Sequence, residues 1–289
     1  MPGRKQAIQL WMVLLLSLCT QSIAQNFSVP SNWRKPVSSR PRDERIGLAK
    51  DLMSTMSYNK TAGLVNSLTN TQSANWHSAL AINDWIIGKQ DNAAIVKNDL
   101  IACSVELTTH FNRNWGLAAY HAFRAYNDST FLDMSTTTWD EAYTYFVTPE
   151  EASSGQHPTR NQSIQSQCRG ASTAGGVFAS WNNPNDTGVN GATVGGFLVL
   201  TAYLYEVTGN TTYASAAGLS AEFILSQLYD GTIIRDGINL GTCHLSTGIF
   251  TYNSGYAIEG LTVYSNVTGN STMKDSLRSH ILLLFLNLY

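Results

Sequence analysis

Acidic side chains are the residues of this sequence best suited to proton-transfer chemistry, because two nearby carboxyl groups can act as general acid and general base. Adjacent acids occur at Asp140-Glu141 and at Glu150-Glu151, the latter directly after a proline. The helical pattern places the first pair on a solvated helix face. The second pair marks a helix start, where acids favour the positive end of the helix dipole. We therefore predict no catalytic role for these four acids.

The N-terminus has the layout of a secretory signal peptide. Arg4 and Lys5 precede an almost unbroken apolar run over residues 10–19. Ser22-Ile23-Ala24 follows, with small residues at the two positions that a signal peptidase recognises. An uncleaved anchor is the alternative, but these ten residues rise only about 15 Å as a helix, half of a bilayer core of about 30 Å. The sequence predicts cleavage after Ala24 and a secreted, extracellular protein.

Secretion would place Cys103, Cys168 and Cys243 in an oxidising compartment, where one of three cysteines stays unpaired within the chain. Cys168 and Cys243 lie in Gly/Ser/Thr-rich loop sequence, whereas Cys103 ends an apolar helical stretch. We therefore predict a Cys168–Cys243 disulfide. With no CxxC or HExxH motif and six scattered histidines, the sequence predicts neither a metal site nor a cofactor.

Asn-x-Ser/Thr sequons are frequent along the chain. In a secreted protein they are typical of surface loops that carry glycans, although polar turns also contain Asn and Thr. Both interpretations place the eight asparagines outside the core: Asn26, Asn59, Asn127, Asn161, Asn185, Asn210, Asn266 and Asn270.

The composition is that of a globular chain of 289 residues, 43% of them hydrophobic and 13% charged. Charged residues are about half as frequent as the globular average of about 25%, which argues against a coiled coil or a charge-rich disordered chain. The 18 basic and 20 acidic residues give a net charge of −2, and about −4 after cleavage, so no positive surplus exists for nucleic acid. We expect a monomer without nucleic-acid partners and, after cleavage, without a membrane partner.

Helical periodicity dominates the chain after an extended, Pro-rich lead-in over residues 25–41, and residues 42–289 are predicted to form one domain. The pattern predicts nine helices: 46–56, 76–87, 91–103, 115–126, 131–146, 193–208, 212–228, 254–267 and 271 to the end. Residues 148–192 and 229–253 are Gly/Ser/Thr/Asn-rich connections, too long for simple turns. We predict that they build a functional face.

Three helix junctions share one pattern. Gly209 and Gly269 can adopt the left-handed conformation that ends a helix, and a capping Asn, Ser or Thr follows each. The third junction is Asn127-Asp128-Ser129. Repeated hairpins of two helices indicate a helical array or barrel, not a simple bundle.

A series of short motifs follows in the second half of the chain: Ala174-Gly175-Gly176-Val177-Phe178, Asn190-Gly191, the helix from Gly196 to Tyr205, residues 206–213, Gly231 to Gly237, and Thr251-Tyr252-Asn253-Ser254-Gly255. Their order and spacing together resemble glycoside hydrolase family 76, the endo-α-1,6-mannanases of fungi and bacteria. The resemblance extends from about Leu48 to Thr272 and is strongest after Gly170. It implies an all-α (α/α)6 barrel of six helical hairpins, with a carbohydrate cleft at one end lined by aromatic residues and carboxylates.

The family carries its chemistry on adjacent aspartates just before a helix, in a pattern like Asp-Asp-x-x-Trp. Here the corresponding helix begins at Trp115, and the pair positions hold Phe111 and Asn112. Neither side chain can protonate a leaving oxygen or attack an anomeric carbon, and glycoside hydrolysis normally uses two carboxyl groups. Glu106 is the one acid between Ser104 and Asn114. The resemblance thus predicts a member without the usual acid pair.

The predicted helix count is a second departure, because an (α/α)6 barrel has twelve helices and the pattern offers nine. The final residues 281–289 are more apolar than a helix with one solvent face, yet too short to span a membrane. We hypothesise a barrel that is incomplete at the C-terminus. In this hypothesis residues 103–114 and the tail from about Ser276 derive from a misassembled gene model or a truncated paralogue.

The resemblance and the chemistry of sugar recognition together select the candidates for substrate binding. Aromatic faces suit the apolar faces of pyranose rings. Two alternatives stay open: Asp236 could instead form an Asx turn, and Trp115 could equally be a core residue. Glu259 lies one turn into a helix and could reach the cleft. The candidates are Trp115, Trp181, Asp236, Tyr252, Asn253 and Glu259.

Three functions remain open at this point. The first is an α-mannan hydrolase, which needs two carboxylates in the cleft. The second is a non-catalytic mannan-binding or cell-wall protein that keeps the aromatic cleft. The third is an incomplete chain whose open barrel leaves apolar helix faces uncovered. Phe111 and Asn112 favour the second or the third for this chain, whereas ancestry favours the first as the class.

Overall fold

The computed structural model describes residues 39–54, 58–59, 63–66, 68–107, 113–271 and 273–274. The signal peptide, the sequon asparagine Asn26, the positions Phe111 and Asn112, and the C-terminal tail lie outside the described residues. The predictions made for them stay predictions.

The described residues are mostly helical, as predicted from the periodicity. They form nine α-helices: α1 Arg42–Ser54, α2 Asn70–Ile87, α3 Ala93–Leu107, α4 Arg113–Tyr126, α5 Ser129–Tyr143, α6 Pro149–Ser154, α7 Gly191–Thr208, α8 Thr211–Phe223 and α9 Thr251–Thr268. Six short strands pair as antiparallel ribbons: β1 Tyr58–Asn59 with β2 Leu64–Val65, β3 Gln167–Cys168 with β4 Ala171–Ser172, and β5 Gly188–Asn190 with β6 Gly237–Asn239.

Eight predicted helices correspond to observed ones, α1 to α5 and α7 to α9. The ninth predicted helix falls largely outside the described residues, and α6 forms instead where Glu150 and Glu151 mark a helix start. Helix α8 ends earlier than predicted, at Phe223, and continues as a π-helical turn over Ile224–Leu228. Apolar periodicity does not separate the two because the π-helical turn is only five residues long, little more than one turn.

The three junctions have the capped geometry expected of tight hairpins. Gly209 and Gly269 lie in the left-handed region, with φ of 66° and 70°. Asn210 then caps α8, its side chain accepting a hydrogen bond from the Thr212 N–H. Asn127 also has a positive φ of 53°, and Asp128 caps α5. These local signals reverse the chain between neighbouring helices.

The helices form two layers. Helices α2, α4, α7 and α9, here called the inner helices, contact each other in that order, while α3, α5 and α8 pack on their outer side. Helix α7 is buried around nearly its whole circumference, which is typical of a helix in the middle of a layer. It approaches α9 closely through glycine: a Cβ at Gly195 would lie 2.7 Å from the Tyr256 Cβ. No helix among the described residues is long and apolar enough to cross a membrane.

Candidate functional site

The inner helices all begin at one end of the array, which we call the N-terminal end. Asn114, in the first turn of α4, donates hydrogen bonds to Oδ1 of Asn75 on α2 and to the hydroxyl of Tyr256 on α9, at 2.8 and 2.9 Å. The opposite ends of α4 and α7 also meet, because Arg124 and Glu206 form an ion pair at 2.8 Å. The inner helices are therefore parallel, and their N-termini share one face.

Strands β5 and β6 bring Asp236 to this N-terminal end. Asn190 pairs with Gly237, so Asp236 lies directly beside the start of α7. The Gly191 N–H donates to the Asp236 carbonyl at 2.7 Å. The Asn253 Nδ2 donates to the Asp236 carboxylate at 3.1 Å, across 17 residues of chain. Asp236 therefore links the N-termini of α7 and α9 through a long-range hydrogen bond, which is not the local Asx turn that the sequence left open.

Asn253 is fully buried between these two helix starts. Its Oδ1 has no hydrogen-bond partner among the described residues. A Cβ added at Gly191 would lie 2.8 Å from the Asn253 side chain, so only glycine permits this approach of α7 to α9. An amide held this tightly positions the Asp236 carboxylate, and its own unsatisfied oxygen is uncommon in a buried side chain.

Two aromatic rings stand beside Asp236 and face solvent. Tyr252 and Phe250 are 49% and 45% exposed, and their rings stack 5.3 Å apart at an interplanar angle of 14°. Partial burial, together with the negative charge of Asp236, raises the pKa of the Tyr252 hydroxyl. The stacked pair, here called the aromatic platform, exposes ring surface next to a carboxylate, an arrangement suited to a sugar ring. Sequence reasoning missed Phe250, although an aromatic residue two positions before Tyr252 was visible.

A groove continues from β5 and β6 at the same end, with a volume of about 370 Å³. The polar side chains in its lining are Asn190, Asn239, His244, Ser246 and Thr247. A disulfide between Cys168 and Cys243 joins the two long connections that surround this end. Cys103 is buried and does not belong to this disulfide. The two predicted loop regions therefore do assemble into one face.

Trp115 is a core residue, so its predicted sugar-stacking role is wrong. The side chain is only 1% exposed, and its Nε1 donates to the Asn70 Oδ1 at 2.8 Å. Its ring also packs against His77, 5.6 Å between centroids. Amphipathic spacing alone could not distinguish the two roles, because a stripe that faces a cleft and a stripe that faces a core have the same period.

Glu259 does not join Asp236 and Asn253, contrary to our expectation that it could reach the cleft. Its carboxylate accepts a hydrogen bond from the Tyr203 hydroxyl at 2.9 Å. It lines a separate pocket with Glu206 and Arg124, which belong to the C-terminal halves of α7 and α4. Glu259 lies two turns into α9, and at about 5.4 Å per turn this carries it roughly 11 Å away from the helix start.

Trp181 stands on a loop of the first long connection and is 40% exposed. The buried guanidinium of Arg160 holds this loop by donating to the carbonyls of Ser180 and Asn183. The Arg160 guanidinium also lies 4.3 Å from the centre of the Phe178 ring. Trp181 is thus available to a ligand, and its sugar-stacking role stays a prediction.

The sequon asparagines with described side chains are all exposed: Asn127, Asn161, Asn185, Asn210, Asn266 and Asn270. The side chain of Asn59 lies outside the described residues. Among the residues that the structure describes, no group of three or more His, Cys, Asp or Glu is placed to hold a metal ion.

The glycosyl hydrolase family 76 model matches residues 43–281. This chain belongs to glycosyl hydrolase family 76. No curated protein sequence matches it.

Several solved structures, family 76 enzymes among them, share the fold at low sequence identity. An inactive variant of the α-1,6-mannanase of Salegentibacter sp. HEL1_6, in complex with α-1,6-mannotriose, is 17% identical with a TM-score of 0.63, covering 81% of this chain and 67% of its own. Dfg5 from Chaetomium thermophilum, in complex with glucosamine, is 15% identical with a TM-score of 0.66, and the match covers 87% of this chain and 66% of the Dfg5 chain. The mannosidase Bt3792 of Bacteroides thetaiotaomicron is 13% identical with a TM-score of 0.58, covering 81% and 69%. The predicted all-α hairpin fold of family 76 is confirmed, and the chain spans about two thirds of the length of these structures.

Proposed function

We propose that the N-terminal end of the inner helices binds α-1,6-linked mannan. The observation that carries this proposal is the Asp236 carboxylate, anchored by Asn253 beside the exposed Phe250–Tyr252 platform. A pyranose ring would stack on the platform while its hydroxyls donate to Asp236. Family membership supports a polysaccharide ligand, and the Salegentibacter relative was crystallised with α-1,6-mannotriose.

We further propose that the chain hydrolyses mannan far more slowly than family members with an aspartate pair. Phe111 and Asn112 occupy the corresponding positions and carry no carboxyl group. The inactive Salegentibacter variant has two adjacent aspartates replaced by asparagine. Glu259, the other acid considered for the cleft, lines a different pocket. An active α-mannan hydrolase is the second candidate, favoured by family membership.

Calorimetric titration with α-1,6-mannotriose tests the binding proposal. Tyr252→Ala should raise the Kd at least fivefold, because a stacked ring loses its partner. Ile249→Ala is the matched control, since Ile249 is 57% exposed and lies next to Phe250 but outside the stacked pair. Equal affinity of the Tyr252→Ala variant and the unaltered protein would contradict the proposal. Hydrolysis of mannan at a rate equal to that of an active relative would favour the second candidate.

We also propose that the mature chain is a secreted glycoprotein that meets mannan outside the cell or at the cell wall. The charged start, apolar run and small residues of the first 24 positions support secretion. Exposure of six sequon asparagines supports glycosylation. N-terminal sequencing of secreted material should begin at Gln25. A mature protein that retains residues 10–19 would contradict cleavage.

A further inference from the structure

A second pocket opens at the C-terminal end of the array, opposite the proposed mannan site. Its volume is about 320 Å³, and α2, α4, α7 and α9 all contribute to its wall. The lining residues are Ile82, Trp85, Tyr120, His121, Arg124, Tyr203, Glu206 and Glu259. Family membership and the mannan proposal leave this pocket without a role.

The hydrogen bonds inside the pocket leave acceptors for a ligand. Tyr120 and Arg124 both bond to Oε2 of Glu206, at 2.6 and 2.8 Å, so Oε1 is not used by either. Tyr203 donates to Oε1 of Glu259 at 2.9 Å. Burial raises the pKa of the Tyr203 hydroxyl, which therefore remains a protonated donor to Glu259. These hydrogen bonds leave Oε1 of Glu206 and Oε2 of Glu259 as acceptors for a ligand.

The charges of the lining do not balance. Arg124 pairs with Glu206, while Glu259 has no cationic partner in the pocket wall. Burial, reinforced by the charge of Arg124, lowers the pKa of His121 to about 4, so this imidazole is neutral at physiological pH. The lining thus carries a net charge of about −1.

Helix direction adds to this negative potential. Arg124 and Glu206 lie in the last turns of α4 and α7, and Trp85 lies in the last turn of α2. The C-terminal end of a helix carries partial negative charge, which favours a cation. Three helices therefore direct the same end of their dipoles toward the pocket.

We propose that this pocket binds a small organic primary ammonium ion. The ammonium group donates to the free carboxylate oxygens of Glu259 and Glu206, and an apolar body contacts Ile82 and the exposed Trp85. An anionic ligand is disfavoured because it would face two carboxylates. A metal ion is disfavoured because no group of three or more His, Cys, Asp or Glu among the described residues is placed to hold one. A quaternary ammonium has no N–H donor and could not hydrogen-bond to the remaining oxygens, Oε1 of Glu206 and Oε2 of Glu259.

Benzylamine and benzyl alcohol make a matched pair of probes, similar in shape and different in charge. In calorimetric titration of the full chain at low ionic strength, benzylamine should bind with a Kd at least tenfold lower than benzyl alcohol. Benzyltrimethylammonium, which keeps the charge without N–H donors, should bind more weakly than benzylamine. No binding of benzylamine, or equal binding of benzylamine and benzyl alcohol, would overturn the proposal.

Two isosteric variants locate the site. Glu259→Gln should raise the Kd for benzylamine at least tenfold, while Asp236→Asn, the same change at the N-terminal end, should leave it unchanged. Retained affinity in Glu259→Gln, or lost affinity in Asp236→Asn, would overturn the proposal. Circular dichroism establishes that each variant is folded, and the probe comparison on the unaltered protein tests the proposal without any variant. Failure of mannotriose binding would leave this inference untouched.

Discussion

The acidic side chains at the two ends of the helical array differ in their hydrogen-bond partners and surroundings. At the N-terminal end, the Asp236 carboxylate accepts a hydrogen bond from a buried amide and lies beside two exposed aromatic rings. At the C-terminal end, the Glu206 carboxylate accepts hydrogen bonds from the Arg124 guanidinium and the Tyr120 hydroxyl. The Glu259 carboxylate accepts one from the Tyr203 hydroxyl. Loops and short strands line the groove at the first end, whereas the described residues that line the pocket at the second end all lie on helices.

This difference shows why acid content alone does not identify a glycosidase site. Asp236 directly precedes β6 and Glu259 lies on α9, the next helix along the chain, yet the two acids lie at different depths along the array. Two carboxyl groups must flank one glycosidic bond to hydrolyse it, about 5 to 9.5 Å apart. Carboxylates at different depths instead suit separate ligands, a neutral sugar at one end and a cation at the other.

The largest expected effect comes from supplying an acid pair at the two positions that directly precede α4 in the sequence. Phe111→Asp combined with Asn112→Asp should raise mannan hydrolysis by at least about 10², because general acid/base catalysis contributes about 10² to 10⁴ in rate. The single variant Asn112→Asp is the control and should remain nearly inactive, since one carboxyl group cannot fill both roles. Release of reducing ends from α-1,6-mannan measures the rate. An unchanged rate in the double variant would show that these positions do not face the bond.

Removal of the disulfide should have the next largest effect. Its effect on ligand binding should be confined to the N-terminal end. Cys168→Ser with Cys243→Ser opens a link across 75 residues, and the chain-entropy contribution is about 4 kcal/mol of unfolding free energy. Urea unfolding measures the loss, with Cys103→Ser as the control for replacing a cysteine. Because the bond joins the loops of the N-terminal end, mannotriose affinity should fall while benzylamine affinity persists. Equal losses at both ends would contradict the separation.

A smaller effect is expected at the contact between α7 and α9. Gly191→Ala places a Cβ 2.8 Å from the Asn253 side chain and should lower the unfolding free energy by about 1 to 3 kcal/mol. Gly255→Ala is the matched control in the first turns of α9, where a Cβ would meet nothing within 4 Å. That variant should be neutral or slightly more stable, because alanine favours helices over glycine. Thermal unfolding followed by circular dichroism compares the two.

The smallest expected effect is a pH dependence that arises at the C-terminal end. The pKa of His121 falls from its usual 6.5 to about 4 on folding, so between these values the unfolded chain binds the proton that the folded chain excludes. The contribution of His121 to the unfolding free energy is therefore fully present above pH 6.5 and is lost as the pH falls toward 4. His121→Phe should reduce the stability lost between pH 7 and 5 by about 1 kcal/mol, after allowance for partial exposure. Urea unfolding at both pH values gives the difference, and an identical loss in the variant would exclude His121 as the cause.

Local signals in the sequence were sufficient for the helices and their junctions. The repeated Gly-Asn and Asn-Asp junctions predict the caps found at Gly209, Gly269 and Asn127, because cap geometry depends on only a few neighbouring residues. The same holds for the choice of Cys168 and Cys243 from three cysteines, since loop and helix sequences differ in composition. The likeness to family 76 was also visible in short motifs at fixed spacing.

The roles of individual site residues depended on tertiary structure. Trp115 and Tyr252 are both aromatic residues near the start of a helix, yet one is 1% exposed and the other 49%. Sequence determined that the chain would fold into capped helical hairpins with two long loops, because helix propensity and capping are local. Only the tertiary structure decided which side chains face a ligand. Parallel packing of the inner helices gathers residues from distant parts of the chain, such as Asn75, Asn114 and Tyr256, and no local pattern encodes that meeting.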